Sequence, residues 1–235
     1  MSLPPSGKRT FIAPLEGGGD AIMRFRLTYV GDLRPTQRDS CEKDTAHKLD
    51  IRRVFHGQLR QLWRTNHFLR SHTIGRESDN PWSKCHHAGA ALVGVSDGRP
   101  MWEVIAESYQ RDGFRYVPLV RDEISLLCSL SIVLLRRDGP GSVISAGDLD
   151  NRIKTLIDCL KIPKHRNELP SGAAPKADED PFFVLLEDDN QVTGLTVETD
   201  VLLEPTENGI TSSMKTHLLI SVELRPYDTN FGPAR

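Results

Sequence analysis

The sequence predicts a single domain of the α/β (α+β) class, a mixed sheet with flanking helices. Three observations carry this. Hydrophobic spacing switches from a period of two to a helical period and back again along the chain. With 235 residues, 38% of them hydrophobic, the chain has enough apolar side chains for one sizeable core. No apolar run reaches the roughly 18 residues of a bilayer-spanning helix. The longest, Ile124 to Leu135, is broken by serines and bounded by charge, so no membrane span is expected.

The first 20 residues contain SLPPSG and EGGGD and predict a turn-rich arm, with the domain running over 21–226 and a short tail over 227–235. From Ala21 to Val30, Met23, Phe25, Leu27 and Tyr29 alternate with Ile22, Arg24, Arg26 and Thr28, the pattern of a strand with one partly basic face. Between Thr45 and Ser71 the spacing becomes helical, with Ile51, Phe55, Leu59, Leu62 and Leu69 on one side. Arg53, His56, Arg60, Arg64 and His67 fall on the opposite side, either as a solvated face or as a line of cations suited to phosphates. Residues 72–113 are mixed in pattern, with the turn VSDGRP before a short helical stretch from Met101 to Gln110. Tyr116 to Arg137 reads as β-structure, and Ile124–Leu135 within it as a central strand buried on both faces.

After the loop DGPGS, an amphipathic helix opens at Asp148-Leu149-Asp150-Asn151, places Ile153, Leu156, Ile157 and Leu160 on one face, and is ended by Pro163. The polar stretch 163–181, rich in Pro and Ala, predicts an inserted loop. Strands over Phe182–Leu186 and Val192–Leu203 flank a turn at Glu187-Asp188-Asp189-Asn190, and a strand over His217–Leu224 closes the domain.

Charge adds an asymmetry. Residues 1–76 carry 14 Lys and Arg against 7 Asp and Glu, while the whole chain has a net charge of −2. A basic amino-terminal third beside an acidic body predicts a face for an anionic partner and a site rich in carboxylates. Cys41, Cys85, Cys128 and Cys159 form no CxxC pair, and Cys85-His86-His87 has no second ligand pair at zinc spacing, so reduced thiols are expected. The amino terminus has no apolar stretch of signal-peptide type, which predicts a cytoplasmic protein.

The chemistry concentrates between Asp148 and Gln191. Asp148 and Asp150 straddle the entry to a helix, where a still extended chain aims alternate carboxylates to one side; Lys154 follows Asp150 by one turn. Asp188 and Asp189 sit at a strand corner that the fold can bring alongside. Carboxylates converging on one point repel one another, and a hard divalent cation with oxygen ligands, Mg²⁺ or Mn²⁺, resolves the conflict. Such an ion polarises a phosphodiester and activates water, with a lysine nearby to meet the developing charge. Read singly, Asp150 is also a good helix N-cap, Asp150 and Lys154 an i,i+4 salt bridge, and 187–190 a polar turn.

The segment DLDNRIKTLIDCL, followed by EDDNQV and a strand, resembles the signature of the RusA-type Holliday-junction resolvases. The resemblance implies a RusA-like mixed sheet and a homodimeric, Mg²⁺-dependent endonuclease that nicks four-way DNA junctions symmetrically in recombination or repair. It implies a metal held by Asp148, Asp150 and Asp189, with Lys154 as the essential lysine and Asn151, Asp188 and Gln191 in support. The basic helix matches one that follows the family's first strand, which assigns DNA contact to Arg53, Arg60 and Arg64. The chain is longer than a compact member of that family, with insertions over 72–113 and 163–181.

Two other readings make different expectations. A module that keeps the fold but binds branched DNA or a protein without catalysis would bind equally with EDTA or Mg²⁺. A nuclease for other DNA or RNA structures would cut flaps or duplexes as fast as junctions.

Overall fold

Phe25, Leu27 and Tyr29 alternate with outward residues and form β1 (Met23–Asp32), in which those three are buried and Arg26, Thr28 and Val30 are exposed. The computed structural model describes residues 23–35, 42–71, 100–122, 126–137, 148–203 and 215–226. The arm expected over 1–20, the Cys85-His86-His87 triplet, the DGPGS loop and the tail over 227–235 lie outside the described residues.

The helical period beyond Thr45 divides into α1 (Glu42–Thr65) and α2 (His67–Ser71). The break is at Asn66, whose side-chain oxygen accepts the Leu69 N–H at 3.1 Å and so caps the second helix. Ile51, Phe55, Leu59, Leu62 and Leu69 are all buried, as their spacing requires. Next come α3 (Met101–Ser108), β2 (Gln110–Arg111) and β3 (Phe114–Val120). Asp112 and Gly113 join the two strands with φ of 53° and 85°, the positive values of a tight two-residue hairpin turn. Met101, Ile105 and Ala106 are buried in the main core, so α3 packs into the domain.

The remaining elements are β4 (Leu126–Arg136), α4 (Asp148–Leu160), β5 (Phe182–Leu186), β6 (Val192–Val201) and β7 (Lys215–Pro226). They complete two sheets, one in the order β1-β7-β4-β6 and one in the order β2-β3-β5. Among the described strands β4–β6 and β3–β5 pair in parallel and the other pairs are antiparallel, so the architecture is mixed α+β.

β4 is central, but only one of its faces is covered. Cys128, Leu130, Ile132 and Leu134 are buried, whereas Ser129, Val133 and Leu135 are half-buried and Ser131 is exposed. The expectation of burial on both faces is corrected here: the serines mark the outward face, and the apolar sides of α1 and α4 meet the other in one core. β3 is buried at all but Arg115, and β5 along its whole length. Phe183 and Leu185 enter the main core, while Phe182 and Val184 join a second cluster with Leu49, Phe114, Tyr116, Ile162 and Leu169.

Two further features place the site. Residues 163–181 are fastened to α1: Arg52 pairs with Glu168, Arg53 with Glu179 and Arg60 with Asp178. On the side of β1 away from β7, Gln58 of α1 accepts the Thr28 N–H at 2.9 Å and donates to the Thr28 carbonyl at 2.6 Å. Among the described residues no helix is long and apolar enough to cross a membrane.

Candidate active site

A regular 3.6-residue repeat buries Ile153, Leu156 and Leu160 of α4 and turns Asp150 and Lys154 outward. The same repeat puts Asp150, Lys154, Asp158 and Lys161 along one side, each three or four residues from the last. That side faces β6 across a groove of about 690 Å³. Its walls carry Asp150, Lys154, Asp158, Lys161, Glu168 and Asp189, and its apolar lining comes from Leu149, Ile153, Ile157, Val192, Leu195 and Val197. Asp150, Lys154 and Asp189, drawn from two separated motifs, therefore share one groove. Asp150 and Lys154 form no ion pair with each other, and the described residues offer neither of them another partner.

Asp148 opens the helix, so the chain is already helical between Asp148 and Asp150. The extended entry expected from the sequence is corrected on that point, because residues two apart in a helix do not share a face. The same boundary removes Asp150 from the N-cap position. The side chain of Asp148 lies outside the described residues.

The second motif is held by its own polar groups. Asp189–Gln191 forms a single 3₁₀ turn capped by Asp188, whose carboxylate accepts the Asp189 N–H at 2.6 Å. Gln191 is buried; its oxygen accepts the N–H groups of Glu187 and Asp188 at 3.2 Å each, and its nitrogen donates to Asp122 at 2.9 Å. The polar-turn reading thus describes Asp188 and Gln191, which brace the corner and leave Asp189 to face the groove. Asn151 has a half-buried side chain on α4, and its carbonyl accepts the Thr155 hydroxyl at 2.8 Å.

Residues that the sequence reading did not single out dominate the electrostatics. Lys161 lies 2.5 Å from Asp189 Oδ2 and 3.3 Å from Asp158 Oδ1. Lys164 lies 2.8 Å from Asp188 and 3.7 Å from Asp189. Asp158 also meets Lys48 of α1 at 2.9 Å, a pair with both side chains largely buried. Hydrogen bonding with the Asp188 side chain and with Lys161, against the opposing effect of burial, holds the Asp189 carboxyl well below the usual carboxylate range. Burial is the largest influence on Lys161 and pulls its pKa down, but the Asp189 hydrogen bond and the charges of Asp158 and Asp189 outweigh it, and the pKa is raised. Lys164 is raised chiefly by its hydrogen bond to Asp188. The signal for Lys161 was present as the i,i+3 step from Asp158 and the i,i+7 step from Lys154.

The donor chemistry suits a hard cation. Mg²⁺ typically takes one or two protein carboxylates and keeps several waters, and Asp150 and Asp189 supply two carboxylates to one groove. Among the described residues no three His, Cys, Asp or Glu side chains converge as a metal site.

The three arginines assigned to DNA differ in their surroundings. Arg53 Nε donates to the buried Glu179 at 2.8 Å, and Arg60 donates to the Asp178 carbonyl at 2.5 Å. His56, from the same stripe, is buried. The stripe is therefore largely covered by loop acids instead of open to solvent. Arg64 is exposed and has no partner among the described residues. Compared with known protein families, curated proteins and solved structures, the chain matches none of them.

Proposed function

We propose that this chain is a Mg²⁺-dependent, structure-selective endonuclease of the Holliday-junction-resolving type, acting in the cytoplasm as a homodimer that nicks opposed strands of a four-way junction. The observation that carries the reading is the shared groove of Asp150, Lys154 and Asp189. Mg²⁺, which Mn²⁺ can replace, supplies polarisation of the phosphodiester and an acidified water when bound. Asp150 and Asp189 would hold it, with Asp148 as the third carboxylate that the sequence motif supplies. Lys154, exposed and without a partner among the described residues, is available to meet negative charge as it grows on the phosphoryl oxygens. Gln191 and Asp188 act by holding Asp189 in place.

The test is strand cleavage of a synthetic mobile four-way junction beside a linear duplex and a flap of matching sequence. Each is incubated with Mg²⁺, with EDTA, and with the Asp150→Asn protein. Paired nicks on the junction alone, lost with EDTA and in the variant, are expected. Cleavage by Asp150→Asn at the wild-type rate would remove the catalytic assignment, and equal cutting of duplex or flap would move the substrate away from junctions.

One observation favours a second reading, a non-catalytic module for branched DNA or a protein. Asp189 is already neutralised by Lys161 and Lys164. Such a module would bind the junction equally in EDTA and Mg²⁺ and cut nothing.

A further inference from the structure

The charge bookkeeping of the groove leaves one feature unused by that mechanism. Lys161 is almost fully buried, its side chain 7% exposed, yet its ammonium sits between Asp158 and Asp189 instead of reaching solvent. Asp158 does not need it, because Lys48 already pairs with that carboxylate from the opposite helix. Asp189 does: its other cation, Lys164, is 3.7 Å away and directed mainly at Asp188. We infer that Lys161 is a built-in place-holder cation, which occupies Asp189 in the metal-free protein and must withdraw toward Asp158 when a divalent ion binds.

This rests on the reading of Asp150 and Asp189 as cation ligands, and it concerns a residue that the sequence motif does not include. An ammonium at hydrogen-bonding distance and a metal ion compete for the same carboxylate lone pairs, and each repels the other. The cation therefore pays for its entry by breaking the Lys161–Asp189 contact. Asp158, 3.3 Å away, is a prepared resting place, so the lysine needs only a small rotation to stay paired. The device keeps Asp189 compensated when no ion is present and raises the divalent concentration at which the site fills. Lys161 is on this account a positioning residue and not a catalytic one.

The experiment is a direct Mn²⁺ titration of the full chain without nucleic acid, read as the electron paramagnetic resonance signal of free Mn²⁺. The proteins are wild type, Lys161→Gln, Lys161→Arg, Asp150→Asn and Asp189→Asn. Loss of one charge-assisted hydrogen bond to Asp189 is expected to tighten Mn²⁺ binding in Lys161→Gln by about tenfold. Lys161→Arg, which keeps the charge, is expected to bind as wild type does. Equal or weaker binding by Lys161→Gln, with binding lost in Asp150→Asn and Asp189→Asn, would overturn the place-holder role alone. Wild-type binding by both aspartate variants would instead overturn the cation site, and the place-holder with it.

Discussion

His56 lies buried in the middle of α1 with its ring against Phe182, the centroids 4.6 Å apart. Its Nδ1 accepts the Phe183 N–H at 2.9 Å, so the ring proton is on Nε2, which donates to the Asp178 carbonyl at 3.3 Å. Burial lowers the imidazole pKa, with the Asp178 carbonyl opposing in part. A group whose pKa is depressed on folding contributes stability above its unfolded value and loses it as pH falls through the folded one. Urea midpoints are therefore expected to fall as pH drops below about 6.5, the ordinary histidine value. His56→Gln should flatten that slope; identical midpoints for the wild type at pH 7 and pH 5 would refute the assignment. From the sequence this histidine read as one more member of a basic stripe. Its true role depends on a strand 127 residues away, a distance over which helical spacing carries no information.

At the scale of elements, the joint between α1 and α4 is ionic at one point and apolar elsewhere. Lys48 and Asp158 face each other across it, and Arg52 donates to the Asp158 carbonyl at 2.9 Å. Breaking a buried ion pair from one side is strongly destabilising, so Asp158→Ala is expected to lower stability by about 3–5 kcal/mol, whereas Lys48→Met with Asp158→Leu should cost far less. Urea unfolding of the single and double variants measures the difference, and equal losses would show that the pair is not the source. The apolar part of this joint was legible, because Ile51, Phe55, Leu59, Ile153, Leu156 and Leu160 repeat at helical spacing. The ionic part was not, since a charged residue within an amphipathic run looks solvent-facing until its partner is placed. The β2–β3 hairpin was readable in principle from Asp112-Gly113, whose positive φ values are the signature of its turn. A strand of two residues, Gln110–Arg111, is too short to show a period of two within the mixed pattern of 72–113.

Across the whole molecule, the basic amino-terminal third and the acidic body meet where 163–181 lies along α1. The charge imbalance counted along the sequence is thus partly cancelled within the fold, through Glu168, Asp178 and Glu179. Arg53 and Arg64 should accordingly behave differently. Arg64→Gln is expected to leave stability unchanged and to reduce the slope of log affinity for junction DNA against log salt by about one. Arg53→Gln strips the buried Glu179 of its nearest cation and should lower the melting temperature instead. A change in salt slope for Arg53→Gln without loss of stability would reverse these roles. The candidate site was legible to the extent that its residues fall in two ordered motifs, Asp150 with Lys154 and Asp189 with Gln191. Lys161 escaped because its contact with Asp189 exists only once β5 has carried the corner back beside α4.

The clasp between Gln58 and Thr28 bears on how copies of the protein can meet. Among the described strands β1 ends its sheet, and an unpaired strand edge invites another chain to add itself and continue the ladder. At Thr28 both main-chain groups are already engaged by a side-chain amide that imitates a neighbouring peptide. A second strand cannot pair through the middle of β1 without first evicting it. Edge-to-edge growth, the route by which soluble sheets become fibrils, is blocked there by one glutamine.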